Sequence, residues 1–299
     1  MCGIVGLYIK NTDQRVRLGQ LFRPMLSEMT DRGPDSAGIA VYRDDSATDG
    51  KLTLYHDDPE FHWHKIADAM ETALKTPVSE ERIASHAILR AATDPSVMRD
   101  WIDDNYPDIR VMSAGKVLEI YKEVGLADAV MERFAVPQMA GSHAVGHTRM
   151  ATESAVTTEG AHPFNTGNDL CLVHNGSLSN HNRLRNWLRD KAGIPFKTEN
   201  DTEVAAGYLT WRMNEGATIK EALEAGIKDL DGFYTFAVGT AEGFSVLRDP
   251  IACKPAVIAE TDDWVAMSSE FRALASLPGV EKATIWEPKP ATVYTWGTA

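Results

Sequence analysis

Apolar and polar positions alternate along this chain with two different periods, and the switches between them mark its elements. Residues 3–9 are apolar on both faces and bounded by turn residues, the pattern of a short buried strand. Over residues 16–29 the apolar positions Leu18, Leu21, Phe22, Met25, Leu26 and Met29 recur every three or four residues, which predicts a core helix. The Gly33-Pro34 pair makes a turn of residues 31–36, ahead of a strand at 37–42. Beyond Arg43 the pattern loosens. An acidic turn at 44–51, a strand at 52–56 and helical stretches near 61–74 and 116–124 read as an insertion with small α/β elements of its own, at about residues 44–140.

The second half is denser. Strands are expected at 142–149 and 170–174, the first ending in Gly146-His147-Thr148-Arg149 and the second in Asn175-Gly176. Residues 181–191 form a basic amphipathic helix with Leu184, Trp187 and Leu188 on its apolar face. An Asp or Thr cap with acidic residues in the first turn starts another helix at 198–203, and Val204, Tyr208 and Leu209 give it a buried side. A further helix carries Ile219, Leu223, Ile227 and Leu230. Strands at 233–238, 244–247, 256–259, 264–267, 282–286 and 291–296 complete the chain. Strands in two batches with helices in pairs predict a layered α+β fold, read as a single domain over residues 1–299 interrupted by the insertion.

Composition narrows the function classes. A formal net charge of -13, from 30 basic and 43 acidic residues, argues against a nucleic-acid partner, which needs clustered Lys and Arg. Three cysteines, Cys2, Cys171 and Cys253, without metal-type spacing suit a reducing compartment, so the expected location is the cytoplasm. Cys171 and Cys253 read as small buried hydrophobes. The apolar N-terminal run is too short for a signal or a membrane span, and no membrane partner is expected. His56, His62 and His64 lie near Asp57, Asp58 and Glu60. Two residues apart, His62 and His64 share a face only on a strand, whereas the surrounding pattern is helical, so they read as surface histidines and no metal site is expected.

The chemistry begins at Cys2. Methionine is readily removed before a small side chain, and that would put a thiol and a free α-amine on one residue. Free α-amines titrate near neutral pH, at about 7.7–8.0, so nucleophile and base would come together. Three later element ends, Arg149, Asn175 and Asp201, offer what a thiol-dependent amide hydrolase of glutamine needs. Arg149 can hold an α-carboxylate bidentately, with the Thr152 hydroxyl as a further donor. Asp201 can hold the α-ammonium. The Asn175 amide and the Gly176 N–H can receive the developing oxyanion. Each also has a structural alternative, as a surface ion pair, a hairpin turn or a helix cap. Their joint order with Cys2 favours the site.

Cys2-Gly3-Ile4-Val5-Gly6, Arg32-Gly33-Pro34-Asp35-Ser36, Gly146-His147-Thr148-Arg149, His174-Asn175-Gly176 and Asp201-Thr202-Glu203 resemble the ordered motifs of the class II glutamine amidotransferases. Arg248-Asp249-Pro250 through Lys254-Pro255, with Ser269-Glu270, resembles the family's later strand pair. The chain departs from the family at Met150 and Glu153, where several relatives carry Trp and His, and at Cys253. The resemblance implies a four-layer αββα N-terminal-nucleophile hydrolase fold. It assigns catalytic roles to Cys2, Asn175 and Gly176 and substrate-binding roles to Arg149, Thr152 and Asp201, with Arg32 fixing the N-terminus. After Ser269-Glu270 about 30 residues remain. With no P-loop, dinucleotide fingerprint or cysteine cluster, an acceptor site is expected on another polypeptide. This layout resembles the separate amidotransferase subunit of glutamate-synthase-like enzymes such as N-methylglutamate synthase of methylamine metabolism. That resemblance implies a hetero-oligomer, with FMN and an iron–sulfur cluster on a partner synthase subunit, no cofactor on this chain, and the insertion as docking surface. The alternative is a non-catalytic glutamine-binding or scaffolding subunit of the same complex, since methylamine could replace ammonia as nitrogen donor.

Overall fold

The computed structural model describes residues 2–43, 48–151 and 155–297. The chain opens with β1 (Gly3–Ile9), a 3-10 turn and α1 (Leu18–Ser27), followed by β2 (Ser36–Tyr42). Next come β3 (Gly50–Tyr55), α2 (Trp63–Leu74), β4 (Val78–Ile83), β5 (His86–Ala91), α3 (Pro95–Asn105) and β6 (Arg110–Gly115). After β7 (Leu118–Val124) and α4 (Ala127–Arg133), β8 (His143–Arg149) and β9 (Cys171–Leu178) lead to three helices. These are α5 (His181–Ala192), α6 (Asp201–Asn214) and α7 (Ile219–Asp229). The chain ends with β10 (Gly232–Thr240), β11 (Gly243–Arg248), β12 (Val257–Glu260), β13 (Trp264–Ser268), α8 (Phe271–Leu274), β14 (Thr284–Trp286) and β15 (Val293–Gly297).

The strands form a seven-stranded sheet, β14-β12-β13-β1-β8-β2-β7, and a four-stranded sheet, β15-β11-β10-β9. All pairings in both are antiparallel. Side-chain alternation sorts the cores. On β1, Val5, Leu7 and Ile9 face α1, α4 and α8, whereas Ile4 faces the second sheet. On β10, Tyr234, Phe236 and Val238 pack on α5–α7, and Ala237 turns to the first sheet. Helix, sheet, sheet, helix is therefore the order of layers, with one core between each pair. β1 and β9 sit inside this stack, which explains their apolar character on both faces.

Residues 50–115 add a third sheet, β4-β5-β3-β6, covered by α2 and α3 around Leu52, Leu54, Trp63, Met70, Leu89 and Ile102. The stretch near 116–124, expected to be helical, is instead strand β7, paired with β2 at the edge of the main sheet. Its period of two is real: Leu118 and Ile120 face the sandwich core and Tyr121 faces the helix layer. Glu119 and Lys122, both buried, hid that alternation in the sequence. Glu119 is fully buried because Lys51 Nζ (3.0 Å), Arg43 (3.3 Å), Arg90 (3.3 Å) and the Tyr121 hydroxyl (2.8 Å) surround it. The cluster ties β3 and β5 to β7.

Other expectations also needed correction. On α5, Arg185 is buried while Trp187 is 42% exposed, its indole edge against Trp211. Arg185 gains that position by pairing with Glu199 and Asn200. Cys171 is buried, and burial pushes its thiol up to about 11, but Cys253 is exposed. His62 and His64 are exposed, and His56 stacks on Phe61. Among the described residues, no three His, Cys, Asp or Glu side chains are grouped to hold a metal. Nor is any described helix long and apolar enough to cross a membrane.

Candidate active site

Cys2 stands immediately before the central strand of the main sheet, and the register of its neighbours fixes its surroundings. Gly3 lies opposite Thr148 on β8, Ser36 lies opposite Arg149, and Ser269 and Ile4 exchange backbone and side-chain hydrogen bonds (2.9 and 3.0 Å). The start of the chain is thus gripped between β8 and β13. The Cys2 carbonyl accepts from Arg32 Nε at 3.0 Å and from Asn175 Nδ2 at 3.1 Å. Arg32 is itself held by Glu270 at 2.6 Å. That hydrogen bond, aided by Arg272 against partial burial, keeps the Glu270 carboxyl below its usual range.

The turn after Arg32 serves the neighbouring strand end. Asp35 donates its N–H to the Arg149 carbonyl (3.1 Å), and its carboxylate accepts from the Ala151 N–H (2.8 Å). Arg149 is 7% exposed, and its guanidinium reaches towards the Ala155 carbonyl at 3.4 Å. Thr152 lies outside the described residues.

The Asn175-Gly176 pair does not end its strand, as the sequence suggested. β9 continues to Leu178, paired with β10 through Thr235↔Asn175 and Tyr234↔Gly176. Gly176 has φ of 148°, and a Cβ there would sit 1.9 Å from the Phe233 carbonyl oxygen. Only glycine can take this conformation, which leaves its N–H without a shielding side chain.

Asp201 is the first residue of α6, but the cap is Asn200, whose side chain accepts from the Thr202 N–H at 2.9 Å. This leaves the Asp201 carboxylate for other partners: the Leu178 N–H at 2.9 Å and His174 Nδ1 at 3.6 Å. Burial alone would raise this carboxyl. The adjacent His174 imidazole and the Leu178 N–H outweigh burial and draw it down to about 2.

A cleft of about 720 Å³ brings Cys2, Arg149, Asn175, Gly176 and Asp201 onto one wall system. Arg32 is not on that wall and acts behind it, on the Cys2 carbonyl. The cleft is also lined by residues that the sequence motifs do not include, among them His162, His181, Ser177 and Lys197. His162 and His181 lie in short polar stretches that a motif search passes over. A cation, an anion, a thiol and two amide donors facing one cleft can bind and cleave an amino acid amide.

Comparison with known proteins gives the family. Residues 147–276 match the model of the glutamine amidotransferase domain. The chain is 55% identical, over 99% of its own length and 98% of the relative, to the glutamine amidotransferase-like protein GlxB of Rhizobium meliloti (strain 1021). It therefore belongs to the class II glutamine amidotransferases. The amidophosphoribosyltransferase of Synechocystis is 33% identical over 54% of this chain and 34% of its own. Among solved structures, the glutamine phosphoribosylpyrophosphate amidotransferase from B. subtilis superposes with a TM-score of 0.63 at 21% identity. That match covers 99% of this chain and 47% of the other, so the likeness concerns the fold over about half of that enzyme.

Proposed function

We propose that this chain is the glutaminase subunit of a larger enzyme, hydrolysing glutamine to glutamate and ammonia for a partner synthase. The observation that carries the reading is the convergence of Cys2, Arg149, Asn175-Gly176 and Asp201 on one cleft from four separate segments. Arg149 takes the α-carboxylate as a bidentate pair and Asp201 the α-ammonium, which presents the side-chain amide to Cys2. With Met1 removed, the Cys2 thiol attacks the amide carbon, and its proton passes to the residue's own α-amine, directly or through a water. The Gly176 N–H and the Asn175 N–H not used on the Cys2 carbonyl stabilise the oxyanion. The amine returns its proton to the leaving nitrogen, ammonia departs, and a γ-glutamyl thioester remains on sulfur. Water then adds to the thioester carbon, loses a proton to the amine, and the C–S bond breaks to give glutamate and the thiol.

The acceptor chemistry belongs to separate subunits of a glutamate-synthase-like complex, N-methylglutamate synthase being one such enzyme, with FMN and an iron–sulfur cluster on the partner. The insertion expected at about residues 44–140, of which 50–115 carry the third sheet, offers the surface for docking. In the purified complex, Cys2→Ala should abolish glutamine-dependent product formation while sparing activity with added ammonia; retained glutaminase turnover overturns the assignment. A second reading is a glutamine-binding subunit without turnover, which keeps the same cleft and lacks a free Cys2 amine. Retention of Met1 by intact mass would block the amine and support that reading.

A further inference from the structure

At the floor of the cleft, four buried side chains close a ring, and three of them, His162, His174 and Thr202, line the cleft. His147 Nε2 donates to the His174 carbonyl at 3.1 Å. The His147 imidazole stacks on that of His162, with centroids 4.0 Å apart and planes 16° from parallel. His162 Nε2 meets the Thr202 hydroxyl at 3.3 Å, and the same hydroxyl meets His174 Nδ1 at 3.0 Å, returning to the residue where the ring began. Exposure falls between 0 and 6% for all four. A carbonyl can only accept, so the His147 proton is on Nε2. Burial pushes His147 down to about 3 and His162 well below its ordinary value, so both are neutral and act through packing and hydrogen bonding.

The members of this ring come from β8, the loop after it, β9 and α6. His147 is two residues before Arg149, His174 is next to Asn175, and Thr202 is next to Asp201. Arg149, Asn175 and Asp201 each therefore lie within two residues of a ring member. The backbone has made room for the arrangement, since a Cβ on Gly38 would sit 2.0 Å from the His162 carbonyl oxygen. Thr202 is the hub: its hydroxyl also lies 3.4 Å from Asp201 Oδ1. Among the described residues it is the only hydrogen-bond partner of the His162 ring, whose Nδ1 has none.

We propose that Thr202, through its hydroxyl, is a positioning residue that locks Asp201 to the buried imidazoles of His162 and His174 and so sets recognition of the substrate α-ammonium. The inference rests on the reading of Asp201 as the ammonium site. It is tested by glutamine binding in the Cys2→Ala chain, where turnover is not needed. Binding of glutamine and of 4-carbamoylbutanoate, which lacks the α-amine, is measured by calorimetry with Thr202, Thr202→Val and Thr202→Ser. Thr202→Val keeps the shape and removes the hydroxyl. It should weaken glutamine about tenfold or more while leaving 4-carbamoylbutanoate within about twofold, and Thr202→Ser should restore the preference. Equal loss for both ligands, or no loss for glutamine, overturns the positioning role. Should the Cys2→Ala chain prefer 4-carbamoylbutanoate or bind neither ligand, the ammonium-site reading falls and the inference with it. Absence of glutamine turnover in the unmodified chain overturns only the proposed activity.

Discussion

Gly176 carries more of the proposed chemistry than any neighbouring side chain could, because its backbone conformation is closed to other residues. A side chain there would meet both a left-handed φ of 148° and the Phe233 carbonyl at 1.9 Å. Gly176→Ala should therefore lower folding stability by about 3 kcal/mol in denaturant titrations, and disturb the pairing of β9 with β10 that holds Asn175. A variant as stable as the parent would show that the strand can relax around a methyl group. At this scale the sequence was most legible. Cys2, Arg149, Asn175, Gly176 and Asp201 stand in short motifs, and all five face the cleft. What could not be read were the relations between them. That His147, His162, His174 and Thr202 close a ring depends on contacts across 15 to 40 residues of chain, from the 147–162 stack to the 162–202 hydrogen bond.

Elements with a clear period and an apolar face were legible, including β1, α2, α7, β10 and β11. The misread stretch, β7, shows why others were not. Its alternation is carried partly by a buried carboxylate and a buried ammonium, which a hydropathy pattern reads as solvent-facing. β4, with only Val78 and Ile83 apolar, is an edge strand whose charged residues keep it from pairing further. The Glu119 cluster makes a prediction at this scale. Glu119→Ala leaves Lys51 in a buried site without its carboxylate, and should cost about 3–5 kcal/mol of stability by chemical denaturation. The loss should be greatest in hydrogen-exchange protection of β3, β5 and β7, the three strands that the cluster joins. Unchanged protection there would mean that the third sheet is anchored by its apolar core alone.

For the molecule as a whole, four layers bury groups that a smaller fold would leave in water. His86, His143 and His147 are each pushed down to about 3, burial being the main cause. Between the unfolded value near 6.5 and about 3, the unfolded chain binds protons that the folded chain refuses. Stability should thus be full above pH 6.5 and fall as pH drops through this window, by about 1.4 kcal/mol per pH unit for each such imidazole. Denaturation midpoints that are flat from pH 7 to pH 4.5 would contradict this. A layered α+β fold followed from strands in two batches and paired helices, and the αββα order from the family resemblance; the third sheet followed from neither, because its elements are short and packed on one another.

The proposed mechanism requires Cys2 to form a covalent intermediate with glutamine, which acid-quenched mass spectrometry of the purified chain under glutamine turnover would detect. The N-terminal peptide should begin at Cys2 and carry one γ-glutamyl group as a thioester, absent from Cys2→Ala. Glutamate production without any such adduct, or an equal rate from Cys2→Ala, would contradict it.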